Sequence, residues 1–193
     1  MRMRMLAGLI VASTATASCF NERTVAPLDP ITAITLNTGE FDPCANGGCN
    51  PQGRMTGGGG QQVTLGDIYV TRGFTIHCDI TLSNNVEVNW PGNKWHLDKP
   101  LTEAACIDDP NISPEPPPAP FDTFLGRGVG RLNGVDGSRI EFTFIDAGEP
   151  GGQNDKAGIR IYDPNGVLVL AVPLSFLTNG NIQAHEDQPH RNR

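Results

Sequence analysis

The run from Ser138 to Val172, SRIEFTFIDAGEPGGQNDKAGIRIYDPNGVLVLAV, limits what this chain can fold into more than any other stretch. Ile140, Phe142 and Phe144 alternate with Arg139, Glu141 and Thr143. Side chains in a strand point to opposite faces in turn, so the alternation predicts a strand with one buried face. Asp146-Ala-Gly-Glu-Pro-Gly-Gly-Gln-Asn-Asp155 breaks the pattern with Gly and Pro, which weaken a ladder, and reads as a loop. Ile159 and Ile161 then resume the alternation. Asp163-Pro-Asn-Gly166 has the residue order of a type I turn closed by a left-handed Gly. Val167 to Val172 is apolar throughout, as expected of a strand covered on both faces.

The rest of the chain repeats this alternation of short strands and turns. Ile68, Val70, Phe74, Ile76, Cys78, Ile80 and Leu82 share one parity, with His77 and Asp79 on the other. Arg72-Gly73 interrupts the run and predicts a turn or bulge between two shorter strands. Val86, Val88, Trp90, Trp95 and Leu97 form a hairpin across Pro91-Gly-Asn93, with both Trp assigned to the core. Phe121 to Leu132 is a Gly-interleaved strand. Ser175 to His185 is the last. With 193 residues, 23 Gly and 16 Pro, the chain can bury a core, but it shows no long helical period after its first twenty residues. The expectation is an all-β fold, an antiparallel β-sandwich of about eight to ten short strands with Gly/Pro-rich turns.

The N-terminus predicts export. Arg2 and Arg4 precede the apolar run Met5 to Ala12, and small residues lead to Ala17-Ser18-Cys19. Two readings of its end are open: cleavage after Ala17, or lipidation of Cys19 after a lipobox-like Ala-Ser-Cys, in which Thr16 replaces the usual Leu. Four cysteines remain. The preferred disulfides are Cys44–Cys49, across Ala-Asn-Gly-Gly, and Cys78–Cys106; a zinc site using Cys44, Cys49 and a His is the alternative. The organisation that follows is a signal peptide over 1–18, a flexible tether over 19–36, a Cys-containing loop over 37–54, a β-sandwich domain over 55–187 and a tail over 188–193. Within the domain, six Pro between Asp108 and Pro120 predict a polyproline loop. A net charge of −7 without a basic patch argues against nucleic acid as a partner. The expected location is periplasmic, outer-membrane lipoprotein or extracellular, with membrane contact only through an anchor at Cys19.

The order of several Gly-rich motifs is similar to that of a known family. Met55-Thr-Gly-Gly-Gly59, Gly126-x-Gly128-x-Gly130-x-x-Asn133-Gly134, Phe142-Thr-Phe-Ile-Asp146-Ala-Gly-Glu-Pro-Gly151, Ile159-Arg-Ile161 and Gly180-Asn-Ile-Gln-Ala-His185 together resemble the post-COAP domain family over about 55–185. The family's members are β-rich modules of secreted and surface bacterial proteins. The resemblance implies placement and architecture; it carries over no catalytic residue.

Three groups of polar residues are candidates for chemistry. Asp146, Glu149, Asn154 and Asp155 put oxygen ligands in one Gly-hinged loop, which suits calcium, although acidic residues also serve ordinary turns. His77 with Asp79, and His96 with Asp98, are spaced two apart, which places each pair on one strand face. If their strands are neighbours, the four residues converge as a transition-metal site or a His–Asp base. His185 either caps the last strand or joins His77 or His96 in a shared site. No nucleophile completes a catalytic set, and the Gly57–Gly60 run lacks the Lys-Ser/Thr of a phosphate loop. The expected function is a structural or binding accessory module without enzymatic activity, acting on an unidentified extracellular or periplasmic ligand. The alternatives are a calcium-dependent ligand-binding module, for which carbohydrate is one ligand, and a small metal-dependent hydrolase using the His/Asp pairs.

Overall fold

A computed structural model describes residues 52–64, 67–112 and 119–187. The predicted signal peptide, Cys19, the predicted tether, the predicted Cys44–Cys49 pair and the predicted tail lie outside the described residues. Nine strands run from Arg54 to His185: β1 (Arg54–Val63), β2 (Ile68–His77), β3 (Asn85–Trp90), β4 (Asn93–Ile107), β5 (Thr123–Leu132), β6 (Val135–Ile145), β7 (Lys156–Tyr162), β8 (Leu168–Phe176) and β9 (Asn179–His185). The one helix among the described residues, α1 (Gly151–Asn154), is a single turn between β6 and β7.

The all-β antiparallel class and the strand count follow the sequence expectation. The arrangement into two packed sheets does not. All nine strands belong to one sheet, in the order β8-β7-β6-β5-β4-β3-β2-β1-β9. The sheet curls until its inner face meets itself. Phe74 of β2 stacks on Phe144 of β6 with ring centroids 4.1 Å apart, although three strands separate them in the ladder. Phe142 and Phe124 extend this aromatic stack along β6 and β5. Sheets twist because L-residues prefer a right-handed strand twist, and in a meander of this length the twist brings distant strands face to face.

Local sequence explains most boundaries. Pro91-Gly92 joins β3 to β4, with Gly92 at φ 75° and Trp90 opposite Asn93. Asn133-Gly134 joins β5 to β6 with φ of 52° and 84°, the two positive values that a type I′ hairpin turn requires. Asp163–Gly166 turns as predicted: the Gly166 N–H donates to Asp163 O at 2.9 Å, and Gly166 takes φ 83°. The Asp163 carboxylate also accepts the N–H groups of Asn165 and Val167. Trp95 is fully buried and donates its indole N–H to Ser138 Oγ at 2.8 Å, which satisfies its single polar atom. Trp90 is partly buried against the same core.

Two expectations are corrected here. Arg72-Gly73 is not a break: β2 runs straight through it, and Arg72 faces the interior. The strand instead ends at His77, where Asp79 to Leu82 makes a turn. β8 is not covered on both faces either. It is an edge strand whose Leu170 and Val172 face the core while Leu168, Val169 and Phe176 are exposed. The predicted Cys78–Cys106 disulfide is present, with Cα atoms 5.8 Å apart. Its place has a structural reason. β3 begins only at Asn85, opposite Thr75, while β2 and β4 continue past it to His77 and Ile107. The bond joins β4 to the residue after β2, where no β3 backbone lies between them.

Candidate functional site

The acidic loop between β6 and β7 closes the edge of the sheet. β9 pairs with β1 along one side, in register from Arg54 opposite His185 to Gly60 opposite Asn179. Among the described residues, no strand lies on its other side. There the Asp155 carboxylate accepts the Ile182 N–H at 2.6 Å, and Asp146 accepts the Ala184 N–H at 2.8 Å. Asp155 also accepts the Ala147 N–H at 3.0 Å, and Asp146 the Gly148 N–H at 3.2 Å. Glu149 reaches the same strand from outside and accepts Asn181 Nδ2 at 2.8 Å and Gln183 Nε2 at 3.1 Å. Asn154 donates to Gly148 O within the loop. The two inner carboxylates therefore do for β9 what a tenth strand would do. They satisfy backbone N–H groups that burial would otherwise leave unpaired.

Electrostatics separates the inner carboxylates from the outer one. Burial pushes the Asp155 carboxyl up to about 6, outweighing its two N–H bonds, with the Asp146 and Glu149 charges adding to the rise. Hydrogen bonds from Asn181 and Gln183 hold the exposed Glu149 below the usual range. These contacts give Asp146, Glu149, Asn154 and Asp155, the residues of the calcium reading, hydrogen-bond partners within the protein. Among the described residues, no group of three or more His, Cys, Asp or Glu is placed to hold a metal ion.

The His/Asp pairs do not converge. His77 ends β2, whereas His96 lies on β4 opposite Glu87, which itself pairs with Gly73. The two His are thus displaced by four residues along the strands, about 13 Å, and by two strand spacings across, about 10 Å. Each Asp has another partner. Asp79 accepts the Thr81 N–H and hydroxyl within its own turn. Asp98 pairs with Arg131 of β5. His77 bonds Ser83 O through Nδ1 at 2.9 Å, and its Nε2 stands 4.0 Å from Asp187. His185 meets Thr56 Oγ1 at 3.0 Å. His77 and His185 are both in register with Arg54, one on either side of it. Burial and the Arg54 charge hold the His185 imidazole below its ordinary value, and Asp146 opposes them.

His96 belongs to a different site. With Glu87, Lys94, Arg131, Asn133 and Gly134 it lines a groove of about 400 Å³ on the outer face of β3 to β5. Lys94 pairs with Glu87 at 2.8 Å, and His96 Nδ1 stands 3.9 Å from the same carboxylate. Hydrogen bonds from Lys94 and Asn89 hold Glu87 below its ordinary range. The groove offers charged donors and acceptors in Lys94, Arg131, His96 and Glu87. Sequence parity places Lys94, His96 and Asp98 on the outer face. Only the strand register adds Glu87 and Arg131 on either side of His96.

Sequence reasoning missed Arg72 and Gln61, both buried on the inner face. Gln61 Nε2 reaches across from β1 to Ala157 O and Ser175 O, each at 3.2 Å, and joins the first strand to β7 and β8. Arg72 falls on the apolar parity of β2, a signal that was visible in the sequence.

Comparison of the chain with protein-family models, curated proteins and solved structures gave no match.

Proposed function

We propose that the chain is an exported, non-enzymatic accessory module of bacterial origin that binds a polar extracellular or periplasmic ligand or holds a neighbouring structure in place. The observation that carries this reading is the use of the carboxylates. Asp146 and Asp155 bond β9, Asp79 bonds its own turn and Asp98 pairs with Arg131, so the residues best suited to acid–base or metal chemistry already have structural partners. The Cys78–Cys106 bond supports an oxidising compartment, since such bonds persist mainly outside the cytosol. The ordered Gly motifs support a place beside the post-COAP modules. The groove around His96 is the ligand-facing surface of this proposal.

Two measurements test it. Cell fractionation is expected to find the wild-type chain outside the cytosol, with release of Cys19→Ala from a membrane-bound wild type identifying lipidation, and cytosolic wild-type protein would overturn export. Thermal denaturation with added calcium or zinc is expected to show no stabilisation. A saturable rise in Tm with either ion restores a metal-dependent function.

A further inference from the structure

Among the described residues, Arg72 is a buried cation without a counter-charge. It is 4% exposed and lies on the inner face of β2, between Val70 and Phe74 on the same face. None of Nε, Nη1 and Nη2 has a hydrogen-bond partner, and no carboxylate pairs with it among the described residues. Its register partners are Gly59 on β1 and Val88 on β3, and neither carries a side-chain acceptor. One further orphan stands close by. Gln61 pairs with Val70, so it occupies the diagonal inner position next to Arg72, within reach of long side chains. Its Oε1 is buried and has no donor.

A guanidinium cannot escape burial by losing its proton near neutral pH. Burial lowers the Arg72 group only to about 10, with Tyr69 opposing the change, so the charge persists at pH 7. An ion held inside a protein without a partner is costly, and native structures compensate it with an opposite charge or hydrogen bonds. The planar fork of five donors matches the paired oxygens of a carboxylate or phosphate.

We propose that Arg72 anchors an internal oxyanion-binding site. The carboxylate or phosphate group of a small ligand lies against the guanidinium, and a hydroxyl or N–H of the same ligand donates to Gln61 Oε1. The ligand enters at the seam between β1 and β8. No ladder pairs these two strands, and Gln61 Nε2 spans the gap to Ser175. This site is separate from the His96 groove and does not depend on export.

The full chain is tested by thermal denaturation at fixed ionic strength with added acetate, lactate, phosphate or decanoate. At least one of these is expected to give the wild type a saturable rise in Tm of about 3 °C or more, and Arg72→Met is expected to lose it. Without ligand, Arg72→Met is expected to melt at or above the wild-type temperature, because an apolar side chain of similar length replaces an unpaired charge. A response to phosphate alone identifies a phosphate ligand. Lactate exceeding acetate supports the Gln61 contact, and decanoate exceeding both identifies an acyl chain. If Arg72→Met does not fold, equilibrium dialysis of the wild type against labelled forms of the same four acids decides: stoichiometric binding sustains the site. The proposal is overturned if no acid binds, or if Arg72→Met responds as the wild type does.

Discussion

The two edges of the sheet are closed in different ways. β9 presents the Ile182 and Ala184 N–H groups outward, and the loop after β6 supplies Asp155 and Asp146 to accept them. Among the described residues, β8 has no such cover. It carries Pro173, which has no N–H to offer, and register shifts that interrupt its pairing with β7. It also leaves Leu168 47% and Phe176 54% exposed. Edge strands invite pairing with other chains, and Pro and irregular register both discourage it. One edge is thus sealed by specific polar bonds and the other by a backbone that makes a poor template. The first device is sensitive to single side chains, while the second tolerates change on its outer face.

The largest effect expected from this contrast is at Asp155. Asp155→Ala leaves the Ile182 and Ala147 N–H groups without an acceptor, and should cost roughly 3 kcal/mol in urea denaturation, at 1–3 kcal/mol for each buried group. Amide exchange at Ile182 should accelerate more than exchange in β4. An unchanged rate at Ile182 would refute the sealed-edge account. Next in size is Val172→Ala on the inner face of β8, expected to cost about 2 kcal/mol through lost burial and a residual cavity. On the outer face of the same strand, Leu168→Lys should change stability by less than about 0.5 kcal/mol. A loss comparable to that of Val172→Ala would show that β8 is covered.

The pH dependence separates the edges more finely. The Asp155 carboxyl is raised to about 6 from an ordinary value of 3.8, so its contribution is fully present below 3.8 and is lost as pH rises through 6. Asp122, raised to about 6 chiefly by burial, acts in the same direction. His185, whose value is lowered, opposes both as pH falls through its ordinary 6.5. The difference in Tm between wild type and Asp155→Asn isolates the first term. It should be larger at pH 5 than at pH 7. At pH 7 Asp155→Asn should also be milder than Asp155→Ala, because the amide keeps one acceptor and removes a buried charge. Equal differences at the two pH values would place the Asp155 titration elsewhere.

Much of the fold was legible because its signals are local. Alternation at Ile140–Phe144 and Val86–Trp90 marks strands through the geometry of the chain itself, and Asn133-Gly134 and Asp163–Gly166 mark turns through their own dihedral preferences. The Cys78–Cys106 pairing was the preferred choice once the nearer pair was set aside. The candidate site was less legible. Asp146 and Asp155 read as ordinary turn residues with calcium ligation as the alternative, since a carboxylate suits a cation as well as an N–H. Which of these it meets depends on β9, which lies about thirty residues further along the chain.

The sequence alone determined that this chain forms antiparallel strands, where most of them turn, and which parity of each is apolar, because those properties arise within a few residues. Tertiary structure decided that nine strands make one curled sheet, that β8 and β9 are its edges, and that Arg72 is enclosed. Those outcomes depend on which distant strands the twist brings together, and strand-by-strand periodicity carries no information about that.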